Sequence, residues 1–425
     1  MHSRGGTRTH DPGIMSSGGQ SEQKTKLWLQ HTTTRRDAPR RYAVFSAKDG
    51  ASDEPRNAPA ALDKNTRNVS TRRQQQRDRR YELREGLQAL TTEPRVAKCG
   101  KCRIAPKVEV RLAGGGAHYS GVMTCGSVWL CPVCAQKVAA RRREEVEQVL
   151  TAHRESGGGA EFLTLTLPHT AGDRLARTRR LVADGWKRVQ QGRVWKRLKA
   201  TAGVVGTIRV LEVTFGFANG WHPHIQVIVL TQRPLTDEER AALRQHCFGV
   251  WQQAVVNAGH ATPLPQCTTI VPVVNADIGA YATKFGAGCE LANGNGDANA
   301  RLTPFQVLAA FLDTGEDRYL TVWQEWESGI KGAKQLTWSH GLRAHYALPA
   351  VHDHHASSES VGETVAIIDA DKWRVIVARG MRLLVLETAE RGGATALSAL
   401  LDALPDWRVP ARLCRASRTR TRSYD

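Results

Sequence analysis

Between residues 160 and 275, short apolar runs alternate with polar positions and are separated by turn residues. Four runs predict strands: Phe162–Leu167, 207–215, 222–230 and 268–274. Residues 173–200 have helical composition and are basic along much of their length. A second helix is expected from Leu235 to about Val256, with Thr236 as N-cap and Glu239 three residues on in a capping-box pattern. A short helix is expected over 275–286, with Asn275 as N-cap and Gly286 or Gly288 as the stop. The order β, α, β, β, α, β, α predicts an α+β domain, an antiparallel sheet with helices on one face, over residues 160–345. Two further helices are expected at 303–314 and 317–328, the second burying Trp323 and Trp326.

The flanks read differently. Residues 1–90 lack apolar periodicity and carry the basic run 71–80, so a disordered region is expected. Residues 346–362 read as a linker and 412–425 as a basic tail. Between them, strands at 365–368 and 382–386 and a helix at 394–404 predict a small α/β appendage over 363–411.

The formal charge is +19 and the pI about 9.9, which favours a polyanionic partner, with nucleic acid first. No apolar stretch reaches the length of a membrane span. No apolar signal region opens the chain, so a cytoplasmic location is expected. Nine cysteines without a signal point to metal ligands or core thiols more than to a disulfide framework.

Residues 91–156 hold two CxxC pairs, Cys99–Cys102 and Cys131–Cys134, separated by 28 residues. Each knuckle offers two thiolates from one tight turn, a spacing suited to tetrahedral zinc. Cys125 is a fifth candidate. The helix expected after the second knuckle carries Lys137, Arg141, Arg142 and Arg143, which could lie along a phosphate backbone. The competing reading is a solvated face answered by Glu144, Glu145 and Glu147.

The chemistry centres on Gly220-Trp-His-Pro-His224. On a strand, His222 and His224 share a face, and Pro223 between them marks a sheet edge or a strand start. Two imidazoles there can hold one divalent ion, with a carboxylate as third ligand. If residues 216–220 form the loop of a hairpin, Glu212 stands opposite His224 with Cβ atoms roughly 5 Å apart. A two-residue Asn219-Gly220 turn would pair Glu212 with Val227 instead and turn it away. The longer loop is preferred, because a glutamate on a β-branched strand needs a reason to be there. On the short helix, Tyr281 and Lys284 lie three apart on one face, where a cation can help a tyrosine act as nucleophile.

The HPH pair on a strand, followed by Y-x-x-K on a helix, resembles the HUH endonuclease superfamily. Phe162-Leu-Thr-Leu-Thr-Leu-Pro-His169, Gly220-Trp-His-Pro-His224 and Cys125-Gly-Ser-Val-Trp-Leu-Cys-Pro-Val-Cys134 look like the rolling-circle plasmid replication initiator (Rep) proteins of high-GC Gram-positive bacteria. The likeness covers about residues 95–345. It implies a ferredoxin-like sheet with the metal on its open face. It also implies Mg²⁺ or Mn²⁺ at His222, His224 and Glu212 or Gln226, and a nick through a 5′-phosphotyrosine on Tyr281 aided by Lys284. The implied partners are plasmid origin DNA, single-stranded at the nick with duplex flanks, and a host helicase, with a homodimer left open.

Two residues depart from the family pattern. Phe285 stands where a second tyrosine occurs in Y-x-x-x-Y relatives, so a single-tyrosine enzyme is expected. Gln226 stands where relatives often carry a third histidine. The rival readings are a transposase with an N-terminal zinc finger, a relaxase with its tyrosine near the N-terminus, and a non-enzymatic DNA-binding regulator.

Overall fold

The computed structural model describes residues 64–114, 116–274, 301–349 and 361–405. The expected helix over 275–286, with Tyr281 and Lys284, lies outside the described residues, as do most of the linker and the basic tail. Three segments meet in the first part of the fold. Helix α1 spans Lys64–Leu90 and is followed by the short α2, Pro94–Lys98. Strands β1 (Val108–Ala113) and β2 (Gly116–Ser120) form a hairpin, and helix α3 runs over Pro132–Glu155. The C-terminal segment supplies β8 (Glu363–Ile368), α10 (Ala370–Ala378) and α11 (Arg382–Asp402).

The expected disorder up to residue 90 is therefore corrected for 64–90. Leu83 and Leu87, one turn apart, are buried in the main core and Tyr81, on the other side of the helix, in the core of the small sheet, which holds the polar sequence around them in a helix. Its basic residues find carboxylates far along the chain: Arg77 pairs with Glu390 and Arg79 with Asp313.

The C-terminal segment does not stand apart either. β8 pairs antiparallel with β1, giving the sheet order β2-β1-β8. Val108, Val110, Tyr119, Trp373, Ile376, Val385 and Leu386 share one core. The strand expected at 382–386 is the first turn of α11 instead. Its apolar residues pack at helical spacing: Val385, Leu386 and Ala389 face the core.

The larger sheet is built from β3 (Gly159–Leu165), β4 (Val204–Gly216), β5 (Gly220–Thr231), β6 (Thr268–Pro272) and β7 (Leu336–Trp338). Its spatial order is β6-β3-β5-β4-β7, with every pairing antiparallel. Helices α4 (Leu175–Val189) and α5 (Gly192–Thr201) connect β3 to β4, and α6 (Asp237–Asn257) connects β5 to β6. The expected single helix over 173–200 is two, broken where Gly192 takes φ +86°. The capping box of α6 forms as expected, Thr236 accepting from the Glu239 amide.

Two cores sandwich this sheet. On one face Leu163, Leu165, Ile225, Val227 and Val229 pack against α4 and α6 through Val182, Trp186, Trp251 and Val255. On the other face Ala160, Phe162, Ile208, Val210, Ile228 and Leu230 pack against Val146, Val149 and Leu150 of α3. Helices therefore cover both faces, not one. The reason lies in α3, whose apolar stripe needs a partner and takes only half of the second face. His153 locks its end: Nε2 faces the carbonyls of Thr231 at 2.9 Å and Gly159 at 3.1 Å, and the Tyr346 hydroxyl donates to Nδ1 at 2.6 Å.

Helices α7 (Pro304–Thr314) and α8 (Asp317–Gly329) follow, with Trp323 and Trp326 buried as expected. A short helix, α9, spans Leu342–His345. Among the described residues, no helix is long and apolar enough to cross a membrane.

The docking of the C-terminal segment can be tested at Trp373. Its ring meets Tyr119 edge-on at 5.0 Å, and its Nε1 donates to the Lys101 carbonyl at 2.9 Å. Trp373→Ala is expected to cost about 3–5 kcal/mol, read as a lower urea midpoint for the full chain.

Candidate active site and metal centres

The β4–β5 hairpin decides where the polar side chains of the sheet stand. Phe215 pairs with Trp221 and Glu212 with His224, the register of the longer loop. Trp221 points into the core and stacks on Trp326 with ring centroids 5.4 Å apart. Its neighbours His222 and His224 therefore turn to the opposite face. They occupy the half of that face that α3 leaves open. Pro223 falls two residues beyond Ile225, where the neighbouring strand β3 has ended, so no ladder bond is lost.

Gly220 closes the turn. It takes φ +73°, and a Cβ there would stand 2.9 Å from Ala171 Cα and 3.0 Å from the Thr170 carbonyl. The loop after β3 is thus pressed onto the hairpin end. That contact delivers His169. Its Nδ1 stands 2.7 Å from the Asn219 carbonyl, so Nδ1 carries the proton, and Nε2 lies 2.7 Å from His222 Nδ1. His169 stands in a quoted motif but had no assigned role, since it sits 53 residues from His222 on a loop. The missed signal was a histidine just beyond a strand that flanks the histidine strand.

Glu212 and His224 are joined directly, His224 Nε2 to Glu212 Oε2 at 2.8 Å. Gln226 Nε2 donates to the same oxygen at 3.0 Å. Gln226 thus orients the carboxylate, not a histidine. His224 Nδ1, Glu212 Oε1, Gln226 Oε1 and Thr214 Oγ1 are buried with no hydrogen-bond partner among the described residues. Desolvation, followed by the charges of His224, Arg301 and His169, holds His222 neutral and takes its pKa down to about 3. Imidazole nitrogens, a carboxylate and unpartnered oxygens form a donor set that suits a divalent cation. The arrangement is two hydrogen-bonded pairs, His169–His222 and His224–Glu212, with the rings of His222 and His224 5.2 Å apart.

The cysteines converge more tightly. Cys99, Cys125, Cys131 and Cys134 have sulfurs within 4.8 Å of one another. Sγ–Sγ distances are 3.8 Å for Cys99–Cys131, 3.5 Å for Cys99–Cys134 and 3.6 Å for Cys125–Cys134. Four sulfurs held at about 2.3 Å by one tetrahedral ion stand about 3.8 Å apart, so the set fits zinc. Cys102, expected as the fourth ligand, is not in the group; Cys125 is. The backbone explains the exchange. The Gly100 amide donates to Met123 and the Met123 amide to Cys102, which carries the Cys125 amide to 3.4 Å from Cys99 Sγ. The buried Arg84 guanidinium adds positive charge beside these thiols. Cys99 is held well below the usual thiol range, first by hydrogen bonds from Cys125 and its neighbours and then by Arg84.

The basic stretch on α3 is mostly engaged within the protein. Arg141 Nε lies 3.6 Å from a Glu145 carboxylate oxygen, and Arg142 donates to Gln335 Oε1 at 2.8 Å. Lys137 is half-buried, with its pKa lowered by desolvation. Arg143 alone of the four is exposed.

Residues 119–260 match a family described as replication protein. A "protein rep" of Streptomyces lividans is 26% identical over 359 residues, covering 67% of this chain and 78% of that protein. The chain thus carries a replication-protein (Rep) domain over residues 119–260. A neomycin resistance protein of Streptomyces cyanogenus is 38% identical over 144 residues, 28% of this chain and 33% of its own length. A "protein rep" of a Bacillus species is 34% identical over 107 residues, 24% of this chain and 32% of that one. The chain thus spans about a third of two of these relatives and over three quarters of the third. No solved structure matches it. The family match contains His169, Glu212, His222, His224 and three of the four grouped cysteines; Cys99 lies before it.

The turn that brings His169 in can be tested by Gly220→Ala. Left-handed backbone costs a residue with a Cβ about 1–2 kcal/mol, before the contact with Ala171 is counted. The expected result is a lower denaturation midpoint and faster amide exchange in the 168–174 loop.

Proposed function

We propose that this Rep chain nicks one strand of plasmid origin DNA and thereby starts rolling-circle replication. The observation that carries the reading is the hairpin register, which gathers His222, His224 and Glu212 on one open sheet face with unpartnered donor atoms. The β-α-β-β-α-β connection, with the first strand between the fourth and the third, supports a ferredoxin-like HUH domain.

A bound Mg²⁺ or Mn²⁺ would offset negative charge on the scissile phosphate. His222, His224 and Glu212 would hold it. His169 would fix the ring of His222, and Gln226 the carboxylate of Glu212. The neutral state of His222 leaves a ring nitrogen free to donate a lone pair. By the sequence reading, Tyr281 is the nucleophile. Its oxygen forms a bond to phosphorus, the bond from phosphorus to the 3′-oxygen breaks, and the departing oxygen takes up a proton. The products are a free 3′-hydroxyl, which primes synthesis, and a 5′-phosphotyrosine. Lys284 would stabilise the tyrosinate. The work would take place in the cytoplasm, with a host helicase opening the duplex ahead.

The four-cysteine group is read as a structural zinc site. Four thiolates around Zn²⁺ leave a net negative centre, which the buried Arg84 offsets.

Two experiments test these readings. Purified protein is incubated with single-stranded DNA carrying the nick site, with Mn²⁺ or with EDTA. A metal-dependent nick with protein joined to the 5′ product is expected. Tyr281→Phe should abolish it, and His169→Ala should slow it by about 10–100-fold. A nick that survives Tyr281→Phe would move the nucleophile elsewhere, and specific binding without any nick would favour a regulator. For the cysteines, native mass spectrometry should find one zinc per chain. Cys125→Ser should lose it and Cys102→Ser should keep it; the reverse pattern would restore the two-knuckle site.

A further inference from the structure

Between residues 174 and 199, ten lysines and arginines face a single carboxylate, Asp184. On α4, Arg177, Arg180, Lys187 and Arg188 are exposed, at spacings that follow one side of a helix. On α5, Lys196 and Lys199 are exposed beside Trp195, which is buried against Trp186. None of these six cations is paired with a carboxylate among the described residues, whereas Arg141, Arg233, Arg240 and Arg343 all are. Arg177 and Arg180 each spend one donor on a backbone carbonyl, Ala258 and Ala176 respectively, which fixes the side chains and leaves their other donors outward. Between α4 and α6 the arginines Arg177, Arg180 and Arg188 border a cleft of about 310 Å³ with Asp184 and Asn257.

We propose that this face of α4 and α5 is the surface on which duplex DNA lies. The proposal rests on the reading of the chain as one that acts on DNA. It shifts duplex contact away from the α3 residues Lys137 and Arg141–Arg143, of which Arg141 is paired with Glu145 and Arg142 is held by the Gln335 side chain. α4 has 15 residues and is about 22 Å long, about two-thirds of a duplex turn. Cations at this spacing can neutralise several phosphates along one strand, a contact that reads no sequence.

The position relative to the hairpin site supports the assignment. α4 starts six residues after His169, which is bonded to His222. The cationic stripe therefore begins beside the histidines and leads away from them. α4 itself packs on the sheet face opposite theirs. A duplex on α4 would send one strand around the hairpin end, over Gly220, to reach the other face.

The test is fluorescence anisotropy with the full chain, a labelled 25-base-pair duplex and EDTA, over a salt series. Wild type is compared with Arg177→Gln/Arg180→Gln/Arg188→Gln and with Lys187→Gln/Lys196→Gln/Lys199→Gln. Each triple variant should bind at least ten-fold more weakly, and the slope of log K against log salt should fall by about 2–3. Two exposed triples, one wholly on α4 and one spanning α4 and α5, guard against a fold defect in one of them. Unchanged affinity and slope in both variants would overturn the surface, as would a wild type that binds no duplex at low salt. Nicking of single-stranded DNA is measured in parallel. A wild type that nicks while both variants still bind duplex normally sinks the surface and spares the nuclease. Duplex binding that depends on these cations, without any nick, does the reverse.

Discussion

The register between β4 and β5 is the constraint on which the site depends. Side chains alternate along a strand, so a slip by one residue would exchange Trp221 with His222 and Val213 with Glu212. The slip is blocked from both sides. Trp221 is sealed between Phe215 and Trp326, and exposing it would forfeit a large buried ring. Gly220 admits the 170–171 loop at a distance that no residue with a Cβ allows. Polar atoms unsuited to a core are thus held in place by the apolar side of the same two strands. Their unmet hydrogen bonds are tolerated because packing, not polarity, fixes the backbone.

The cysteine group does comparable work for the other half of the molecule. Cys99 lies where α1, the knuckles and α11 converge. Its carbonyl accepts from Gln88 Nε2 at 2.6 Å, and Arg382 of α11 donates to the carbonyl of Gly100 at 3.0 Å. Arg382 also reaches Glu85 and Gln88 on α1. Segments nearly 300 residues apart in the chain are therefore tied to one turn. α3 leaves that turn and ends against the five-stranded sheet, so the two halves share one helix as a strut.

How much of this the sequence disclosed depends on the range of each interaction. The strand order around the hairpin, the α6 capping box and the Glu212–His224 pairing are local, and the alternation of residue types carries them. Trp323 and Trp326 read as core because aromatics on a helix are more often core than base-stacking platforms. Most of the failures are long-range. The polarity of α1 masks a helix because its stabilising partners, Glu390 and Asp313, are hundreds of residues away. Cys125 displaces Cys102 because of a backbone pairing between 100–104 and 121–123 that leaves no trace in CxxC spacing. His169 gains its place from a loop packing on a glycine. The short apolar stretch at 382–386 is ambiguous between strand and helix, and its context decided for helix.

The pairing of β8 with β1 has a consequence for synthesis. The sheet β2-β1-β8 cannot close until residue 368 has left the ribosome, although two of its three strands emerge some 250 residues earlier. The five-stranded sheet, complete once β7 appears, lies wholly within that interval. Its most local pairings form at low loop-closure cost, while the β1–β8 contact closes one of the longest loops in the chain. Until then Val108, Val110 and Tyr119 lack the C-terminal side of their core. The four thiols can gather before that, since they need only residues up to 134. An early metal clasp would hold the open module in register while the rest of the chain is made, and a premature stop beyond the five-stranded sheet would leave that sheet folded on an unfinished platform.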